Sequence, residues 1–354
     1  IMLVENEVAQ VVRWLGHYDE PALRAWTRFA CRGWRGEGVA TPRGSPPAAG
    51  IERLGLAPLL FRALRDRQDA RAGLFAAAYH RAAGQNLALF GPMARARDTL
   101  LDHGITPLLI KGGAFLLRHA PGDLGVRALA DLDVLVGPER FDEALARLTE
   151  AGWRRLVPAL RYSSRVAPAI ALVSTGARGI SAQLDLHRHL AQWPLLKELP
   201  ARAIAQAETV GGWPMISVEH SVLLVAAHRT RHAFANDARD LVDLAAAATA
   251  IDDAAWARVV EEGAGLGLTG ALYAVMRQAA WWLDEEDGAI ARRAAALRSR
   301  LHPARAALLD RLADPAFVLA RSSPWAGPLG RNFGVFPAAF HAPWRSLVAA
   351  IVFL

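Results

Sequence analysis

Cys31 is the only cysteine among 354 residues, so no intrachain disulfide can form and no cysteine-based zinc site can be assembled. A single thiol suits a reducing compartment, and a cytoplasmic protein is expected. Lysine is almost as scarce: Lys111 and Lys197 are the only two, and arginine supplies the rest of the positive charge. Long apolar runs are missing as well. The apolar stretch 346–354 is far too short to span a bilayer, so no membrane span is expected. The first residues carry acidic side chains rather than a charged-then-apolar leader pattern. Also absent are a Gly-x-Ser-x-Gly elbow, a Walker loop, a Gly-x-Gly-x-x-Gly fingerprint and a kinase signature. His228 and His232 stand one helical turn apart, but residue 229 is Arg where a zinc protease needs Glu.

What is abundant is Ala and Leu within a chain that is 53% hydrophobic and 21% charged. Such a chain can bury a core, and its commonest residues favour helix. The net charge of +7 suits phosphate-bearing partners. No dense basic run with interleaved aromatics marks a dedicated DNA-binding motif.

Hydrophobic spacing predicts helices over 8–30 and 51–100, with a Gly-, Pro- and Arg-rich loop over 32–50. The character changes at Ile105. Residues 105–110 read as a buried strand ending in the turn Lys111-Gly112-Gly113, followed by a helix over 114–120. Residues 129–136 read as a second strand, and 141–151 as a short helix. Strands over 167–174 and 180–187 are joined by a hairpin turn at 175–179. Beyond Ser217, a plausible N-cap, the pattern is helical over 219–235, 237–250, 253–263, 268–283 and 289–301. The glycines of 263–267 follow a helix and read as an inter-helix turn. The expected architecture is α+β: a small mixed sheet flanked by helical segments. The expected division is 1–100 helical, 101–216 sheet domain, 217–313 helical and 314–354 irregular.

The chemistry centres on Asp131-Leu132-Asp133. Residues two apart on a strand project to one face, so both carboxylates point the same way. Two such groups repel unless a cation, a proton or a salt bridge intervenes. Mg²⁺ fits, being a hard ion that takes one or two carboxylates together with substrate phosphates, and Mn²⁺ is an alternative. On this reading, replacing Asp133 with Asn relieves repulsion, so stability without metal holds or rises. Asp185 in the next strand is a third carboxylate, and the three are expected to converge. Glycines after a strand let backbone N–H groups approach a phosphate. Asp185, His187 and His189 alternate along one face, which leaves open a transition-metal site or simple packing of neutral histidines.

Leu109-Ile110-Lys111-Gly112-Gly113, Arg127, Asp131-Leu132-Asp133-Val134-Leu135-Val136 and Leu184-Asp185-Leu186-His187 together resemble the uncharacterised bacterial nucleotidyltransferases of the polymerase-beta-like superfamily. The resemblance spans about residues 105–190. The gap from Gly113 to Asp131 is longer than in many members of that superfamily. The resemblance implies that Asp131 and Asp133 bind both metals. It implies that Asp185 holds the catalytic metal and helps deprotonate the acceptor, and that Gly112 and Gly113 bind phosphate. Lys111 and Arg127 are candidate neutralisers of triphosphate charge; for Arg127 a salt bridge to Asp131 or Asp123 is equally open.

The implied reaction moves a nucleoside monophosphate from an NTP to an acceptor hydroxyl, the acceptor being a small molecule, peptide, protein or RNA. Two rivals stand beside it: a toxin-like enzyme that nucleotidylates tRNA, and a non-catalytic nucleotide-binding accessory protein of a biosynthetic operon. A lid over the site is expected from 219–235, with Arg229, Arg231, His228 and His232 facing an anionic substrate.

Overall fold

In the computed structural model, the described residues are 19–156, 168–175, 181–190, 196–232, 234, 238–283 and 288–315. Among them the chain forms thirteen α-helices, one 3₁₀ turn and seven strands in one mixed sheet. The expected α+β class is therefore the observed one. The expected hairpin turn over 175–179, the helix before residue 19 and the tail after residue 315 lie largely outside the described residues.

Two compact units divide the chain. One runs from Arg81 to Ser221 and holds the sheet. The other takes the described residues up to His80 and from Val222 onward, so most of the expected helical regions 1–100 and 217–313 share one unit while 81–100 and 217–221 go with the sheet. The unit boundaries lie inside two helices, Ala76–Asp102 and Val218–Arg231. No described helix is long and apolar enough to cross a membrane.

The sheet positions the site. Its order is β3-β4-β5-β2-β1-β7-β6, with β1 Leu108–Ile110, β2 Leu132–Leu135, β3 Arg154–Arg155, β4 Ala169–Thr175, β5 Ser181–His187, β6 Glu208–Val210 and β7 Trp213–Met215. The central strands β1 and β2 are apolar apart from Asp133, and every one of their side chains is buried. That continuous burial is why they read as apolar runs rather than as alternating patterns. Strands β2 and β5 run parallel, in a register that sets Asp133 beside Asp185. Strand β1 is antiparallel to β2, with Ile110 opposite Asp133. The turn that follows β1 is thereby delivered beside the carboxylates.

Sequence reading missed the β6–β7 hairpin. Its loop is Gly211-Gly212, with φ of 57° and 78°, the two positive φ angles that a two-residue primed turn demands. The Gly-Gly pair was the available signal. Strand β7 matters because it pairs in parallel with β1 and closes that side of the sheet centre. The helix Pro303–Leu312 and the short edge strand β3 were likewise not anticipated.

The helical unit has its own core around Trp26, Phe29 and Trp282, all essentially buried. Arg229 also lies inside that core, fully buried. Its Nε and Nη2 donate to Gln278 Oε1 at 3.2 and 3.0 Å, and Nη2 also donates to the Phe234 carbonyl at 2.9 Å. The expectation that Arg229 faces an anionic substrate is corrected by this geometry, because its hydrogen bonds hold one helix to the next. His228 sits 3.6 Å from Asp240 Oδ2 and stacks edge-on against His232, at 4.7 Å between ring centres. Replacing Arg229 with Met removes both of its bonds to Gln278 Oε1 and one of the two donors to the Phe234 carbonyl, which keeps Gln278 Nε2 at 3.0 Å. We expect a loss of about 1–3 kcal/mol in chemical denaturation, with nucleotide binding unchanged in whatever fraction remains folded.

Candidate active site

Helix Lys111–His119 starts directly after β1, with no intervening loop. The chain achieves this by placing Lys111 itself in the left-handed region, at φ 53°. That conformation is uncommon for a residue with a side chain and is characteristic of functional sites. The expected role of the glycines changes accordingly. Neither Gly112 nor Gly113 has a positive φ. Both are needed because the helix lies hard against its neighbours. A Cβ on Gly112 would come within 2.6 Å of Leu129 Cδ2 and 2.7 Å of Arg127 Cζ. A Cβ on Gly113 would meet Leu132 Cδ2 at 2.6 Å. The two glycines thus let the first helical turn sit down on β2 and on the segment that carries Arg127. The N–H groups of that first turn have no partners inside the helix, the usual basis of phosphate binding at a helix start.

Asp131 lies one residue before β2, at a bend, so the expected strand over 129–136 is shorter than its pattern. The segment leading to it is fastened by Asn86 from helix Ala76–Asp102, a residue that sequence reading did not single out. Asn86 is fully buried. Its Nδ2 donates to the carbonyls of Leu124 at 2.6 Å and Arg127 at 2.7 Å, and its Oδ1 accepts from Leu129 N–H at 3.1 Å. One amide side chain therefore fixes three backbone groups across the segment between the glycine pair and the first aspartate. The only sequence signal was an Asn on an otherwise apolar helix face.

Asp133 is buried in β2. Its Oδ1 accepts from Lys111 Nζ at 2.5 Å and from His187 Nε2 at 2.8 Å. His187 Nδ1 faces the His189 carbonyl at 3.3 Å. Asp185, beside Asp133, accepts from Gln183 Nε2 at 3.3 Å. One possible ligand atom from each of Asp133, Asp185 and His187 falls in a cluster whose members all lie within 4.8 Å of one another. Neither His189, beyond the end of β5, nor Asp131, at the bend before β2, is in that cluster, so His187 stands where the sequence pointed to Asp131.

The electrostatics divide the carboxylates. Burial, then the charges of Asp133 and Asp185, push the Asp131 carboxyl up from 3.8 to about 6, against the pull of Lys111 and Arg127. Burial also acts to raise Asp133, but the nearby charge of Lys111 and the hydrogen bond and charge of His187 outweigh it. They hold that carboxyl well below the usual range. The expectation that Asp133→Asn holds or raises metal-free stability runs against this geometry, because that substitution leaves Lys111 and His187 facing a neutral amide. The repulsion foreseen from the sequence falls on Asp131 instead.

Two outcomes follow from this geometry. Asn86→Ala removes the side-chain partner of three backbone groups, that of Leu129 buried and those of Leu124 and Arg127 half-buried, and we expect a cost of about 1–3 kcal/mol. Faster amide exchange at 124–129 than elsewhere in the sheet unit would locate the effect. For Asp131, the folded protein holds the proton more tightly than the unfolded chain. Its contribution to stability is present in full below 3.8 and is lost as pH rises through about 6. In the metal-free protein, Asp131→Asn should therefore match the wild type near pH 4 and exceed it above pH 6. Parallel stability curves across that range would contradict the assignment.

The uncharacterised nucleotidyltransferase family model matches residues 49–284, well over half of the chain. No curated protein matches. Among solved structures, a candidate nucleotidyltransferase from H. pylori is 15% identical with a TM-score of 0.35, covering 67% of this chain and 93% of its own. The protein JHP933 from Helicobacter pylori is 14% identical with a TM-score of 0.33, covering 64% of this chain and 91% of its own. With the family match spanning both the glycine turn and all three aspartates, the chain belongs to the uncharacterised nucleotidyltransferase family.

Proposed function

We propose that the chain is a divalent-metal-dependent nucleotidyltransferase that moves a nucleoside monophosphate from an NTP to an acceptor hydroxyl. The observation that carries this reading is the register of β2 and β5, which sets Asp133 and Asp185 side by side with Asp131 close enough to feel both charges. The donor set fits Mg²⁺ or Mn²⁺. Lys111 bonds Asp133, while burial and then the charges of Asp133 and Asp185 raise the Asp131 carboxyl, a repulsion that a dication would relieve. Asp131, Asp133 and Asp185 would hold the metal, with His187 steadying Asp133. When bound, the ion stabilises charge on the phosphates and on the attacking oxygen.

The protein's own residues account for the remaining requirements. The N–H groups at the start of helix Lys111–His119 receive a phosphate, and Gly112 and Gly113 allow that turn to reach it. Arg127, packed against Gly112, and Lys111 add positive charge toward the triphosphate. Asp185 takes the proton of the acceptor hydroxyl. The acceptor oxygen then forms its bond to the α-phosphorus, and the bond to pyrophosphate breaks. Holding these groups in line provides most of the acceleration, so small displacements of the carboxylates are costly.

The test is transfer of label from each of the four α-³²P NTPs into a cell lysate with Mg²⁺. We expect one nucleotide to label a discrete product, with pyrophosphate released. Asp131→Asn should reduce transfer by about 100-fold or more, the scale seen when one preorganised charge-stabilising group is lost, while keeping or raising metal-free stability. Label entering tRNA selects the toxin-like reading. Wild-type levels of transfer by Asp131→Asn place the chemistry elsewhere.

A further inference from the structure

The Lys111 contact has a consequence beyond charge neutralisation. Its ammonium is 2.5 Å from Asp133 Oδ1, and that oxygen already accepts from His187 at 2.8 Å. A cation therefore already sits on the most deeply placed carboxylate. The partners are unequally enclosed: the Lys111 side chain is 20% exposed and that of Asp133 10%. The lysine is the more exposed member of the pair.

The residue type fits an exchangeable contact. Lys111 is one of two lysines among 41 cationic side chains. Arginine makes planar, two-point bonds to carboxylates, whereas an ammonium is a compact charge on a flexible stem that can turn from one oxygen to another. Its backbone is fixed at φ 53° at the head of the helix, so the stem starts within reach of both Asp133 and any phosphate bound at the helix start.

We propose that Lys111 is an exchangeable counter-ion: its ammonium occupies Asp133 in the metal-free protein and passes to the triphosphate when a divalent cation takes the carboxylate. The inference rests on the metal-binding reading above and deepens it. Asp133 Oδ1 already carries bonds from both Lys111 and His187, so a dication taking that oxygen would need the ammonium, the donor on the flexible stem, to give way. With the three carboxylates committed to the metal, the phosphates brought in with it would be the anions left for the ammonium. Metal and triphosphate thus favour each other's binding through one side chain, and metal alone binds against competition.

Opposite effects on the two ligands distinguish this role from simple charge neutralisation. Lys111→Met in the full chain should bind free Mn²⁺ more tightly than the wild type at pH 8, as followed by electron paramagnetic resonance. The expected gain is about 10-fold or more, the factor for one charge-assisted hydrogen bond that no longer has to be broken. The same variant should bind preformed Mn–tripolyphosphate about 10-fold or more weakly. If Lys111→Met melts early, Lys111→Gly removes the ammonium while easing the positive φ, and the same pair of shifts is expected. Unchanged or weaker Mn²⁺ binding in a folded variant overturns the exchange. The metal site itself then still stands, provided the wild type binds Mn²⁺ and Asp131→Asn does not. If the wild type binds no Mn²⁺, both the exchange and the metal reading fall.

Discussion

The parallel pairing of β2 with β5 places two carboxylates on adjacent strands at the same level, Asp133 against Asp185. Asp131 crowds them from the bend just before β2. A concentration of negative charge in a largely buried setting is unfavourable unless something offsets it. Much of the surrounding structure does so. Lys111 and His187 converge on one oxygen of Asp133, Arg127 pulls on Asp131, and Asp131 retains its proton to about 6. Burial and the charges of Asp133 and Asp185 still outweigh the pull of Lys111 and Arg127 at Asp131, a crowding that the proposed dication would relieve.

The packing around this cluster serves to hold it. Glycines at 112 and 113 bring the start of a helix against β2. Asn86 fastens the segment that leads into Asp131. Each removes freedom from a segment that borders the carboxylates. The helical unit has different priorities. Its buried Arg229 shows how a cation that looks available for substrate can be absorbed by its own core, bonded to Gln278 and the Phe234 carbonyl and 4.0 Å from Asp240.

The aspartates and the strand-to-helix turn were legible because their chemistry is local. Asp-x-Asp and Lys-Gly-Gly announce themselves in a few residues, and an apolar run bounds each strand. What stayed hidden depends on long-range register. Nothing near Asp133 in the sequence shows that His187, 54 residues on, meets its Oδ1. Nothing near Asn86 shows that three backbone groups some forty residues away depend on it. The direction of the charge effects was hidden for the same reason. Repulsion between Asp131 and Asp133 is readable from spacing, but which of them bears it is decided by Lys111 and His187. The Gly211-Gly212 hairpin was readable in principle, since two consecutive glycines between short apolar runs are a turn signal.

The most direct measurement is anomalous diffraction from crystals grown with Mn²⁺ and a non-hydrolysable α,β-methylene NTP. The account predicts manganese density among Asp131, Asp133 and Asp185, with a phosphate at the N-terminus of helix Lys111–His119 and the Lys111 ammonium moved from Asp133 toward the phosphates. Manganese density elsewhere, with Lys111 still bonded to Asp133 while nucleotide is bound, would contradict it.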